Sequence, residues 1–179
     1  MTGELPGDLP AQEKTERMIR VDHAGEYGAT RIYAGQLAVL GCRRQGDLLR
    51  RMQAKEQQHL RTFNDLIADR RVRPTALLPV WHVAGFALGA VTAALGQKAA
   101  MACTVAVEEA IDDHYGNQLE TMDETESDLR LTVEKFRADE LEHRDIALAH
   151  GAERAIGYRL LSRVIKSGCR AAIALSERV

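Results

Sequence analysis

The sequence predicts an all-α fold: a four-helix bundle with a long apolar crossover helix and an extra amphipathic helix at its C-terminus. Three observations predict it. Ala, Leu, Glu and Arg dominate the 179 residues and proline appears only 4 times, a composition that favours helix over sheet. No stretch sustains the period-two alternation of a half-buried strand. Four segments instead repeat apolar residues at spacings of four and three, the pattern of a helix with one buried face. The length suits one domain with a real core. That domain is expected over 13–179, behind a flexible arm at 1–12 rich in Gly and Pro.

The first helix is expected from Lys14 to Leu40, with the stripe Ile19, His23, Glu26, Thr30, Tyr33, Leu37 and Leu40 and a stop at Gly41. The second runs from about Gly46 to Asp69 on Leu49, Met52, Glu56, His59, Phe63 and Leu66. Pro74 follows the basic cluster Arg70, Arg71 and Arg73 and ends it. Pro74 to Gln97 carries no charge. Its length reaches transmembrane range, but Pro79, His82, Gly85, Gly89 and Gly96 interrupt it, so a buried or membrane-surface helix is the expectation. Trp81 would suit an interface. The next helix covers Lys98 to Met122 on Met101, Val105, Glu108, Ile111 or Asp112, Tyr115, Leu119 and Met122. After the acidic turn Asp123 to Asp128, another presents Leu129, Val133, Phe136, Glu140, His143, Ala147 and His150. The last, Ala152 to Arg178, has an apolar side of Ile156, Leu160, Val164, Ile165, Ala172 and Leu175. Its basic side, Arg154, Arg159, Arg163, Lys166, Arg170 and Arg178, is either a solvated face or a contact for an anionic membrane surface.

Charge is nearly balanced, with 24 basic and 26 acidic residues, which gives no reason to expect nucleic-acid binding. Cys42, Cys103 and Cys169 form no CxxC pair and are odd in number, so neither a disulfide framework nor a zinc knuckle is expected, and a reducing compartment is the simpler setting. The N-terminal MTGELPGDLP has no basic start and no apolar run, so it reads neither as a secretory signal nor as a transit peptide.

The chemistry lies where charge interrupts the apolar stripes. A buried, unpaired carboxylate costs several kcal/mol, so each such position needs a compensating partner. Four inward glutamates and two histidines cannot all compensate one another; two divalent metal ions would. Glu56-Gln57-Gln58-His59 and Glu140-Leu141-Glu142-His143 are both ExxH, which puts Glu and His on one helix face. Glu26 lies 30 residues before Glu56, and Glu108 lies 32 before Glu140. Each half is thus a helical hairpin with a lone Glu on its first helix and ExxH on its second, at matched heights. This is the known ligand pattern of ferritin-like di-iron and di-manganese carboxylate bundles, matched here to an established type. Oxygen and imidazole donors without thiolate suit iron or manganese. His23, His82 and His150 are expected to be ordinary packing or surface residues. Asp139 is expected either to orient a ligand histidine or to lie solvated, and Asp112 has the same two readings.

The stretches DHAGEYGATRIYAGQ (Asp22–Gln36), KEQQHLRTFNDLI (Lys55–Ile67), TVAVEEAIDDHYGNQL (Thr104–Leu119), FRADELEHRDIALAH (Phe136–His150) and GCRAAIALSERV (Gly168–Val179) resemble the demethoxyubiquinone hydroxylase family, di-iron monooxygenases of ubiquinone biosynthesis. The resemblance places Glu26, Glu56, His59, Glu108, Glu140 and His143 on the family's metal ligands, through which catalysis would run. It puts Tyr115 and Arg170 near an electron-entry route. It implies two iron ions, O2 as co-substrate, and NADH or the reduced quinone as electron donor. The implied reaction is hydroxylation of the ring of a demethoxy polyprenyl quinone. A lipid quinone as substrate, a membrane surface, and a lipid-presenting helper protein are the implied partners. The implied place is peripheral, on the cytoplasmic side of a bacterial inner membrane, with segment 75–97 docking or lining a tail channel. The alternatives are a ferritin-like protein that stores iron or removes peroxide, and a metal-free helical scaffold.

Overall fold

The computed structural model describes residues 9–43 and 45–179. Most of the expected arm, residues 1–8, lies outside the described residues, and Ala11 and Gln12 are already helical. Six α-helices follow in order: α1 (Ala11–Leu40), α2 (Gly46–Asp69), α3 (Leu78–Ala94), α4 (Gln97–Thr121), α5 (Ser127–Ala149) and α6 (Tyr158–Ser176). A 3₁₀ turn at Ala152–Arg154 precedes α6. No strand occurs among the described residues.

Helices α1, α2, α4 and α5 form a ferritin-like bundle, with α1/α2 and α4/α5 as its hairpins. Helix α3 packs on α1, and α6 packs on α4. Each half therefore repeats a hairpin plus an outer helix laid on its first member. The core divides into two main apolar clusters. One holds Tyr33, Leu49, Met52, Met101, Val105 and Ala147. The other holds Ile19, Phe63, Tyr115, Leu129, Val133 and Phe136. On every bundle helix the charged stripe positions fall between these two clusters, so apolar layers close the charged level from both ends. The stripes expected for α1, α2, α4 and α5 are buried almost throughout, with Leu37, Leu66, Ile111 and Leu119 half-buried and His150 exposed. Helix α1 also buries Ala29, Ile32 and Gly35, because it is covered by α3 as well as by the bundle, and buries Asp22 and Gln36 against α4.

Glycine makes the α1/α3 approach close. A Cβ at Gly89 would stand 2.0 Å from the carbonyl oxygen of Ile32, and one at Gly35 would stand 2.1 Å from that of Phe86. Both obstacles are backbone and cannot swing aside. Gly89→Ala is expected to cost about 1–3 kcal/mol by overpacking, a fall in Tm of several degrees at this chain length. A Cβ at Gly168 in α6 would meet no atom within 4 Å, so Gly168→Ala should raise Tm slightly. Thermal melts of the two variants check the packing; equal Tm values would contradict it.

Two expectations need correction. The last helix is not continuous from Ala152: the chain breaks at Gly157, whose φ of 71° favours glycine, and Ile156 is fully exposed. Nor is the expected apolar side of α6 covered. Ile165 is buried, but Leu160, Val164 and Leu175 face outward. Periodicity identifies an apolar face and cannot say whether anything covers it. The basic side is only partly solvated, since Lys166 pairs with Glu109 and Arg170 with Asp113, both on α4. Helix α3 carries Val80, Val83, Val91 and Leu95 on its outer side. Among the described residues no helix is long and apolar enough to cross a membrane.

Candidate metal centre

Each bundle helix delivers its charged residues to one level. Glu26 comes from α1, Glu56 and His59 from α2, Glu108 from α4, and Glu140 and His143 from α5. All six are buried, Glu56 and Glu140 completely. They form two overlapping groups, Glu26, Glu56, His59 and Glu140, and Glu56, Glu108, Glu140 and His143; within each, one donor atom per residue lies within 4.8 Å of the others. Glu56 and Glu140 belong to both groups. Nδ1 of His59 stands 3.1 Å from Glu140 and 3.4 Å from Glu26, and Nδ1 of His143 stands 2.8 Å from Glu56.

The inward atoms lack hydrogen bonds. Oε2 of Glu26 and Glu108, both carboxylate oxygens of Glu56 and Glu140, and Nδ1 of both histidines are buried and unpartnered. Buried polar atoms in folded proteins are nearly always satisfied. This concentration of acceptors in one dry volume fits two divalent cations, and the oxygen-rich, thiolate-free donor set fits iron or manganese.

Electrostatics says the same. Burial drives the carboxyls of Glu56 and Glu108 well above the usual range, and neighbouring carboxylates push them further. Burial, then the charge of Glu56, carries Glu140 up to about 8. Burial alone would lower His59, but the carboxylates of Glu140 and Glu26 close to its Nδ1 raise it to about 11. His143 is lowered by burial. Cations bound there would replace protons, so metal uptake would release protons.

A second layer orients the glutamates. Tyr115 Oη donates to Oε1 of Glu26 at 2.5 Å, and Tyr33 Oη donates to Oε1 of Glu108 at 2.9 Å. Each tyrosine thereby leaves the other carboxylate oxygen turned inward. Gln118 donates to the buried Asp22 at 2.7 Å, beside His114, and Gln36 donates to the carbonyl of Ala100 at 3.1 Å. His59 Nε2 donates to Asp139 at 3.0 Å, so Asp139 takes the orienting role of its two readings. Asp112 pairs with Arg137 at 2.6 Å, away from the cluster.

The other expected residues separate. Tyr115 lies at the cluster through Glu26. Arg170 is not brought there: it is exposed and meets Asp113 at 3.4 Å. His23 is buried against Asn64, His82 meets Tyr27, and His150 bonds the Ile146 carbonyl. Sequence reasoning gave no role to Tyr33, Asp22, His114, Gln36 or Gln118. The signal was present: Tyr33 follows Glu26 by seven residues, as Tyr115 follows Glu108.

A ferritin-like bundle that buries four glutamates and two histidines at one level has the donor pattern of two-metal carboxylate proteins. Within that class the family is also defined. Residues 13–176 match the family model described as ubiquinone biosynthesis protein COQ7, and the chain belongs to that family. A Rhodospirillum rubrum protein named 3-demethoxyubiquinol 3-hydroxylase is 57% identical over 176 residues, covering 98% of this chain and 83% of the relative. A human protein named NADPH-dependent 3-demethoxyubiquinone 3-hydroxylase, mitochondrial, is 55% identical over 96% of this chain and 81% of its own length. A Saccharomyces cerevisiae protein named 5-demethoxyubiquinone hydroxylase, mitochondrial, is 42% identical over 92% of this chain and 78% of its own length.

Proposed function

We propose that this chain hydroxylates the ring of a demethoxy polyprenyl quinol, using O2 and two iron ions held by Glu26, Glu56, His59, Glu108, Glu140 and His143. The names of its relatives support the reaction. The observation in the structure that carries the reading is an apolar cavity of ≈ 430 Å³ enclosed by α1, α3, α4 and α6. Gly25, Gly28, Val107 and Ile111 line it from α1 and α4, Gly25 and Val107 being the residues that precede the ligand positions Glu26 and Glu108 in the chain, and Trp81, Val164 and Ala172 line it from α3 and α6. Such walls accept an isoprenoid tail and an aromatic ring and offer little to a hydrated ion. That favours an organic substrate over iron storage or peroxide removal.

Bound iron supplies the redox chemistry by which one atom of O2 enters the ring and the other leaves as water. The chain's own residues prepare the place. Tyr33 and Tyr115 hold the two lone glutamates in fixed orientation. Phe136 stacks on His59 with ring centroids 3.9 Å apart and keeps water from that side. The two apolar clusters exclude water above and below. The quinol in the name of the bacterial relative supports electrons arriving with the substrate, and the NADPH in the name of the human one supports a reduced nicotinamide as their source.

Access to lipid follows from the outer helices. Trp81 Nε1 donates to Ser176 Oγ at 3.0 Å and ties α3 to α6 across the cavity. Val83 and Leu160, outside that lining, are 67% and 68% exposed, so α3 and α6 also present apolar side chains to the surface. We read this flank as a peripheral contact with the cytoplasmic face of a bacterial inner membrane, and as the surface available to a lipid-presenting helper protein.

The cavity reading has a direct test. Ala172→Trp should raise KM for a tailed demethoxyquinol about tenfold, roughly one apolar side chain's worth of burial. Turnover of a tailless quinol should be unchanged. Steady-state kinetics with both substrates decides it, and an unchanged KM for the tailed quinol would remove the cavity from the account.

A further inference from the structure

We infer that the two metal positions are inequivalent: the one at Glu26 and His59 is the tighter and fills first, because Asp139, held by Lys55, fixes the outer nitrogen of His59 while no side chain among the described residues does so for His143. The inference rests on the two-metal reading above and adds an order of loading to it.

The two hairpins form an internal repeat. Glu26, Tyr33, Gln36, Glu56 and His59 of the first hairpin correspond to Glu108, Tyr115, Gln118, Glu140 and His143 of the second. Each tyrosine crosses to the other hairpin's lone glutamate. Each glutamine likewise crosses to the other first helix: Gln118 reaches Asp22, and Gln36 reaches Thr104 at 3.4 Å. Asp22 precedes Glu26 by four residues, and Thr104 precedes Glu108 by four. To this level the two positions are built alike.

The repeat breaks at the residue before each ExxH, which is Lys55 in one hairpin and Asp139 in the other. Asp139 Oδ2 accepts from His59 Nε2 at 3.0 Å, and its Oδ1 lies 3.1 Å from Lys55 Nζ. With its proton kept on Nε2, His59 presents the Nδ1 lone pair to the cluster. A carboxylate acceptor on the outer nitrogen fixes the tautomer and ring orientation and raises ligand basicity. The residue corresponding to Asp139 for His143 is Lys55, a cation that cannot accept. Among the described residues no group is hydrogen-bonded to Nε2 of His143. The other breaks fall at the same end. Asp22 replaces the neutral Thr104, and His114, bonded to Asp22 at 3.1 Å, stands where the first hairpin has Ile32. The ligand residues are the same in kind at both positions; their outer support is not.

The experiment is a titration of the chelator-stripped chain with Co(II), followed by visible absorption and calorimetry. The wild type should bind two ions in two steps at least about tenfold apart in affinity. His59→Ala should remove the tighter step, and His143→Ala the weaker. Asp139→Asn should weaken the tighter step about 10–100-fold and leave the weaker unchanged, while Asp139→Glu restores it. Should Asp139→Asn fail to fold, Lys55→Met replaces it, with a several-fold loss confined to the same step. Two ions binding with one affinity, a tighter step that survives in His59→Ala, or an Asp139→Asn titration like the wild type's would each overturn the inference and leave the two-metal reading standing. No bound cobalt in the wild type would remove both.

Discussion

Replacing Glu56 by Gln should empty both metal positions, not one. Glu56 and Glu140 are the two residues common to both ligand groups, so either substitution removes a donor from each. Loss of an outer partner alone costs 10–100-fold in affinity; loss of a shared ligand should cost more than about 100-fold at both positions and bring hydroxylation to background. Glu26→Gln and Glu108→Gln each touch a single group and should leave one ion bound. The same substitution should not harm the fold. Glu56 is fully buried, and burial raises its carboxyl well above the usual range, so a neutral isostere removes a group that resists ionisation. The metal-free Glu56→Gln chain should therefore melt at or above the metal-free wild type. Metal analysis and a paired thermal melt check both halves. Full metal occupancy would refute the ligand assignment, and a large loss of Tm would make Glu56 a structural residue.

Metal-free protein should lose stability between pH 7 and 9, and bound metal should abolish that loss. Glu56 and Glu108 are raised, Glu140 reaches about 8, and His59 reaches about 11. Each binds its proton more tightly folded than unfolded. Its contribution is therefore fully present below the unfolded pKa and is lost as pH rises through the folded one. His143 and His23 are lowered and act oppositely, but only below their ordinary value of 6.5. Asp139 is lowered despite some burial, by His59 and then Lys55, and acts only in the acid range. From neutral to alkaline pH only the falling contributions remain. One pK unit is worth roughly a kilocalorie, and each kcal/mol moves Tm by about 2–4 °C at this size. A fall of about 5 °C or more is expected without metal, and a nearly flat profile with it. Tm rising with pH in the metal-free chain would contradict the charge assignment.

The centre was legible in the sequence because its residues violate the rule that shapes everything around them. Glu26, Glu56, Glu108 and Glu140 sit where period and neighbours demand apolar side chains, and only a shared partner reconciles them with burial. The bundle was legible for the complementary reason, since its stripes obey the rule. The orienting tyrosines were not. Tyr33 and Tyr115 lie on apolar stripes, where a ring passes as packing, and each bonds a glutamate of the opposite hairpin, which no local pattern reveals. Asp139 carried two readings because a residue beside a buried one lies at the edge of the helix face, and only the packing of α5 against α2 decides which way it turns. The outer helices were legible as elements only. In α3 apolar residues surround the helix, so its sequence names no inward side. In α6 the apolar face is plain, but that it lies open beside a cavity depends on where α3 and α4 stand.

We propose that six buried residues hold two iron ions for ring hydroxylation. The most direct measurement is a single turnover, with Fe(II)-loaded protein and a short-tailed demethoxyquinol prepared without oxygen, then exposed to isotope-labelled O2. One labelled oxygen atom is expected in the ring by mass spectrometry, and none when Glu140→Gln is used. Iron that is oxidised and mineralised while the quinol ring gains no label would contradict it.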